Sequence, residues 1–331
     1  MRIPQHISPT SLMAWGKNSE EYYLQYLSDF KPPKFEQTKA MAVGSAFDAY
    51  AKSYLHQTLF GTGHKDADQF KLDTIFTQQV EAPNRDFAFA AGKYCFDRYK
   101  ESGALSDLMI DMRAAQTEPR FEFSVCGLVQ ASKGEVVLMG KPDCYFVNAS
   151  GTKVILDWKV NGYMRQASPK AGYIKIRETW DPAQVMRTRQ HNCAHKDAVP
   201  MIVCGMMVNV AKPMEIVDSD WATQLAIYAW LLGAEVGEPI IGAIDQLACD
   251  AKTAQPMIRV AQHRAMIGKE FQLSTFASAA ELWEVIHSGH IFRDLSLADS
   301  QAKCEALDGK GRVWSNATTA EDKWLASITR G

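Results

Sequence analysis

From Ser8 the apolar positions recur with a helical period. "SPTSLMAWGKNSEEYYLQYL" (8–27) sets a serine in capping position and a proline in the first turn, ahead of Leu12, Trp15, Tyr22 and Tyr26. "KPPK" at 31–34 ends that helix. The same spacing predicts a second helix from about Thr38 to Leu59 and a third within 66–80. A strongly amphipathic one covers "NRDFAFAAGKYCFDRYKESG" (84–103) and closes on a glycine. The first third of the chain is therefore expected to be helical.

The period changes after Pro119. "RFEFSVCGLV", "EVVLMGKPDCYFV" and "KVILDWKV" are short, rich in β-branched and aromatic residues, and divided by the turn sequences "ASKG" and "NASG"; they predict a three-stranded antiparallel meander. Residues 161–217 read as a mixed, loop-rich stretch. "SDWATQLAIYAWLLGAE" (219–235) has an acidic first turn and is apolar on nearly every side, which predicts a buried helix. Strands at about 240–249 and 256–263, an amphipathic helix over 269–288 and a polar tail from about Asp294 follow. The economical architecture is one α+β unit. A helical N-terminal region (1–116) packs on a core (117–290) that carries a basic insertion at 161–217, and a polar tail (291–331) ends the chain.

Composition narrows the class. With 331 residues, 47% hydrophobic and 22% charged, the chain has the material for a large core. No window approaches the roughly eighteen consecutive apolar residues of a membrane span. "MRIPQHISPTS" lacks the layout of a signal peptide, so a cytoplasmic setting is expected. Seven cysteines without a CxxC pair read as reduced thiols. The net charge of −2 argues against indiscriminate coating of nucleic acid, although a local cleft can still be basic.

The chemistry lies in "GKPDCYFVNASGTKVILDWKV" (140–160). Alternation puts Val154, Leu156, Trp158 and Val160 on one face of a strand, and Ile155, Asp157 and Lys159 on the other. The Cα atoms of Asp157 and Lys159 are then about 6–7 Å apart. Asp143 follows Pro142, which a sheet tolerates at edges, ends or bulges, and a hairpin through "NASG" can bring it near Asp157. Two close carboxylates repel each other unless a cation or a shared proton compensates. Hard oxygen donors suit Mg2+ or Mn2+. Lys159 could orient or deprotonate a water, or offset transition-state charge, and the last role is preferred. The plainer alternative is a surface salt bridge between Asp157 and Lys159.

Between Tyr163 and Lys196 stand Arg165, Lys170, Lys175, Arg177, Arg187, Arg189 and Lys196 against Glu178 and Asp181, with Tyr173 and Trp180 interleaved. Cations with stacking aromatics fit a channel for single-stranded or frayed DNA; a solvated loop is the other reading. His191, Cys193, His195 and Cys204 do not have the spacing of a standard zinc knuckle, and "GTGH" (61–64) lacks the ending of a phosphate-binding loop.

Taken together, "GKPD" (140–143) and "ILDWK" (155–159) resemble the core motif of the PD-(D/E)XK nuclease superfamily. "ATQLAIYAW" (222–230) is similar to the Q-x-x-x-Y helix of its RecB-like exonuclease branch. "ISPTSLMAW", "VGSAFDAYAK" (43–52) and "EPRFEFSV" resemble that branch's serine-rich helix start, G-x-x-x-H helix and glutamate-bearing strand. The resemblance implies an α/β/α restriction-endonuclease-like core, a central mixed sheet flanked by helices, and Mg2+-dependent hydrolysis of DNA. It assigns metal ligation to Asp143, Asp157 and the Trp158 carbonyl, with Glu122 favoured over Glu118 as the upstream acid and Asp48 standing where the branch has histidine. Asp48 could equally be a helix-surface charge. Lys159 would be the catalytic lysine, with Gln224 and Tyr228 beside the phosphate. Ser8, Lys175, Arg177, Arg187 and Arg189 are the expected DNA contacts.

No iron-sulfur cluster is expected, because the first 94 residues contain no cysteine. The expectation is an exonuclease acting on DNA ends in recombination or replication, of a type carried by phages, with room for a recombination or single-strand-binding protein as partner. A non-catalytic DNA-binding module and a structure-selective endonuclease are the alternatives. The sequence leaves oligomeric state open.

Overall fold

The computed structural model describes residues 2–29, 36–131, 134–161, 174–176, 199–203, 206–210, 213–238, 240–249 and 258–288. In chain order the strands are β1 (Arg120–Phe121), β2 (Val125–Ala131), β3 (Gly134–Gly140), β4 (Cys144–Val147), β5 (Lys153–Asn161), β6 (Ile174–Ile176), β7 (Val199–Val203), β8 (Met206–Val210), β9 (Ile240–Cys249) and β10 (Ile258–Ile267). Six of them form a mixed sheet in the order β1-β4-β5-β9-β10-β6, in which β5 and β9 run parallel and the other neighbours antiparallel. β2–β3 and β7–β8 are separate hairpins.

The helices are α1 (Pro9–Lys17), α2 (Ser19–Tyr22), α3 (Lys39–Phe60), α4 (Leu72–Gln79), α5 (Arg85–Glu101), α6 (Ala104–Arg113), α7 (Met214–Val217), α8 (Ser219–Leu231) and α9 (Lys269–Ser288). Helices α3, α5 and α6 cover one face of the sheet, where Phe47, Leu55, Tyr99 and Leu108 pack with Leu156, Trp158, Leu247 and Val260. Helix α8 covers the other, setting Leu225, Ala226 and Tyr228 against Ile155, Ile244 and Ala265. β5 is buried from both sides because its two faces meet two helical layers, and Asp157 is carried into the second. A further cluster ties Ile7, Leu12 and Tyr22 to Val136 and Leu138 of β3 and to Phe276 and Trp283 of α9. The fold is thus α+β: a mixed sheet flanked by helices, with a helical N-terminal region that shares its core. Among the described residues no helix is long and apolar enough to cross a membrane.

Helix α3 begins at the Thr38 cap, whose hydroxyl accepts from the Met41 N–H, and it lies so close to α5 that a Cβ on Gly92 would stand 2.5 Å from that of Ala46. Strand β9 and helix α9 run as the sequence pattern predicts. Other elements depart from it. The expected helix over 8–27 breaks at Asn18, whose side chain accepts from the Glu20 and Glu21 N–H groups and starts a new helix that widens into a π turn at Tyr23–Leu27. The amphipathic helix stops at Glu101, and Gly103, at φ 83°, leads into the unexpected α6.

The three-stranded meander is also corrected. Its first run splits at Glu122, the one non-glycine residue with positive φ (51°) among those described, so that β1 and β2 enter different sheets. Its second run splits between Gly140 and Cys144, where Pro142 has no N–H to give to a ladder. β2 then pairs with β3, and β1 with β4. The strand expected at 256–263 lies at Ile258–Ile267. The loop-rich stretch contains β6 at the sheet edge, the β7–β8 hairpin and α7.

Candidate functional site

The β4–β5 register pairs Cys144 with Leu156, which sets Asp143, just before β4 begins, across from Asp157 within β5. Asp143 is fixed there by the backbone N–H of Trp158, which donates to its Oδ2 at 3.2 Å. Asp157 is almost wholly buried, at 4% exposure. The Lys159 ammonium lies 2.6 Å from its Oδ2, and that oxygen receives no hydrogen bond in good geometry. Gln224 of α8 ties the group together: its Oε1 accepts from Lys159 at 2.8 Å, and its Nε2 donates to Asp157 Oδ1 at 2.9 Å and to the Tyr228 hydroxyl at 3.1 Å. Spaced one turn apart, Gln224 and Tyr228 share a helix face. Gly140 lets the Tyr228 ring lie against the backbone, since a Cβ there would come within 2.6 Å of it.

A second acidic group adjoins the first. Asp48 on α3, Glu122 and Asp143 bring carboxylate oxygens within 4.8 Å of one another. Lys52, one turn after Asp48, inserts an ammonium among them, 2.7 Å from Asp48 Oδ2 and 3.0 Å from Asp143 Oδ1, and in contact with Glu122 Oε1. Lys141 pairs with the other Glu122 oxygen. Gln79 donates to Asp48 Oδ2 at 2.9 Å, while Asp48 Oδ1 is buried without a hydrogen-bond partner. Asp48, Asp143 and Trp158 line a cavity of about 220 Å³ beside α3.

Burial and charge set the protonation states. Burial, then the Asp143 charge, pushes Asp157 up to about 7 against the pull of Lys159. Burial also pushes Asp48 up to about 7, with Asp143 and Glu122 adding to it and Lys52 opposing. Burial acts the same way on Asp143, but Lys52, Lys159 and the Trp158 N–H together hold it below the ordinary carboxylate value. For Lys159 burial is outweighed by Asp157 and Asp143, so its pKa is raised and it stays an ammonium. Lys52, facing three acids, is held well above the ordinary lysine value.

Behind the site, the Trp158 indole donates to the Tyr99 hydroxyl at 3.3 Å, and Tyr99 donates to the fully buried Asp245, which pairs with Arg264 at 2.9 Å. That chain of bonds fixes the strand at the residue whose carbonyl was expected to face a metal.

The structure therefore brings together Asp48, Glu122, Asp143, Asp157, Lys159, Gln224 and Tyr228. Glu118 is exposed and faces His64 at 3.5 Å instead. Ser8 caps α1, its Oγ accepting from the Ser11 N–H at 3.2 Å, and lines a polar cavity of about 550 Å³ that extends past Arg2 and Lys141 to Tyr228. Lys175 belongs to edge strand β6, across from Arg259. Arg177, Arg187, Arg189, His191, Cys193, His195 and Cys204 lie outside the described residues. Sequence reasoning missed Lys52, Lys141 and Gln79. The available signal was Asp48 and Lys52 at i and i+4 on one helix face.

An oxygen-rich, partly buried donor set with two carboxylate oxygens that receive no hydrogen bond, on Asp48 and Asp157, fits a hard divalent cation. Asp143, Asp157 and the Trp158 carbonyl could hold one, with Asp48 and Glu122 adjoining.

No protein-family model matches the chain, and no curated protein does. Among solved structures, one described as "Crystal structure of SSO0001" is 11% identical over 87% of each chain, with a TM-score of 0.28. At that score the likeness supports neither a shared fold nor a shared activity.

Proposed function

We propose that this protein is a metal-dependent deoxyribonuclease of the PD-(D/E)XK kind. In this reading it is an exonuclease that hydrolyses phosphodiester bonds at DNA ends during recombination or replication, in the cytoplasm of a host cell if phage-borne. The observation that carries the reading is the convergence of Asp143 and Asp157 from adjoining strands, with the Lys159 ammonium 2.6 Å from Asp157. The ordered motifs that resemble the RecB-like branch support it.

A bound Mg2+ or Mn2+ supplies Lewis acidity, making a water acidic and neutralising charge on a phosphate. Lys159, held charged by its two acidic neighbours, offsets negative charge building on that phosphate and is not free to act as a base. Gln224 fixes the spacing of Lys159 and Asp157, so neither has to reorganise as charge develops. Tyr228 stands beside them with its hydroxyl on Gln224.

Lys52 favours a second reading, because an ammonium that already compensates three carboxylates suits a DNA-binding module which keeps the fold without turnover. Cleavage assays separate the two. Purified protein with Mg2+ or Mn2+ is expected to degrade end-labelled linear DNA but not covalently closed circles, and Asp157→Ala and Lys159→Ala to lose at least a hundredfold in rate. DNA binding without cleavage, equal in all three proteins, supports the module; cleavage of closed circles supports an endonuclease.

A further inference from the structure

Lys52 takes no part in the chemistry proposed above, yet it is fully buried, and long charged side chains are almost never so unless paired. An ammonium has three N–H donors and no acceptor. Here they face the carboxylates of Asp48, Glu122 and Asp143, the same three residues whose carboxylates gather into an acidic group that could hold a metal. Asp143 divides the centre in two. Its Oδ1 faces Lys52, while its Oδ2 turns to the Trp158 N–H, within the strand that carries Asp157 and Lys159.

The charge count points the same way. Four carboxylates (Asp48, Glu122, Asp143 and Asp157) meet three ammonium groups (Lys52, Lys141 and Lys159). Counted as fully ionised, the centre carries one net negative charge. One divalent ion turns that into one net positive charge, suited to a phosphate; two would leave three positive charges in a buried space. Two-metal hydrolases place their ions roughly 3.5–4 Å apart so that each serves one of the reacting oxygens.

We propose that the Lys52 ammonium is a tethered stand-in for a second cation, so that the centre takes a single exchangeable divalent ion. This rests on the metal-centre reading above and adds the number of ions and the group that sets it. It also implies that Asp48 of α3 and Glu122 stay compensated when no metal is bound.

Mn2+ titration of the full chain without DNA, followed by the electron paramagnetic resonance of free Mn2+, counts the sites. Wild type is expected to bind one ion. Lys52→Ala and Lys52→Gln are expected to bind two, to melt at lower temperature than wild type in EDTA, and to recover on adding Mn2+; Lys52→Arg is expected to keep one. Two ions in wild type overturn the inference and leave the nuclease reading standing, as does one ion in folded Lys52→Ala. No bound ion in wild type removes the metal centre altogether, and this inference with it. The wild-type count stands by itself if the variants do not fold.

Discussion

Asp157 is opposed by its burial and by Asp143, and supported by Lys159 and Gln224. The balance makes a pH prediction. Asp157 and Asp48 keep their protons up to about pH 7 in the folded, metal-free protein, against an ordinary value of 3.8. Between those values the folded state binds more protons than the unfolded one, so the contribution of these two groups is full at low pH and is lost as pH rises through about 7. Lys52, Lys159 and Asp143 face them but remain charged across that window. The urea midpoint measured in EDTA is therefore expected to fall from pH 5 to pH 8, and Asp157→Asn to flatten the fall; a midpoint that rises over this interval contradicts the assignment. Strand alternation and the hairpin through "NASG" singled out Asp143, Asp157 and Lys159, because those patterns place side chains without knowledge of the rest, whereas Gln224 came only from the resemblance of its helix to the RecB-like branch. Lys52 was not legible, since a lysine in a helix normally reaches water and only the packing of α3 against Glu122 and Asp143 decides otherwise.

At the scale of elements, the position of α3 matters because it delivers both Asp48 and Lys52. It is held by α5 at a contact that leaves no room for a Cβ at Gly92. Gly92→Ala is expected to destabilise the protein by about 1–3 kcal/mol through overpacking. Gly16→Ala, which would meet nothing within 4 Å near the end of α1, is expected to be neutral or slightly stabilising. Chemical denaturation of the two variants checks both, and equal stability would mean that the helix contact is looser than described. Helix α3, with its local Thr38 cap, and the amphipathic α9 were readable to within a residue or so. Strand partners were not, because pairing is non-local. Nothing in "EPRFEFSV" marks the left-handed backbone of Glu122 that sends β1 and β2 to different sheets. The same turn puts the Glu122 carboxylate against Lys52.

For the whole molecule, the formal charge of −2 leaves general attraction to DNA weak, so the proposed binding would have to come from a local concentration of cations. Arg187 and Arg189, in the basic stretch, are the residues to test. Replacing both with alanine is expected to weaken binding to single-stranded DNA alike across sequences and to reduce the salt slope of log K by about 1–2. An unchanged slope would exclude these two arginines from phosphate contact. The most direct measurement is diffraction at the manganese edge from a crystal soaked in Mn2+. A single anomalous peak is expected within coordination distance of the Asp143 and Asp157 carboxylates, and its loss in Asp157→Ala. Carboxylates turned apart with no peak between them would contradict the metal-dependent nuclease.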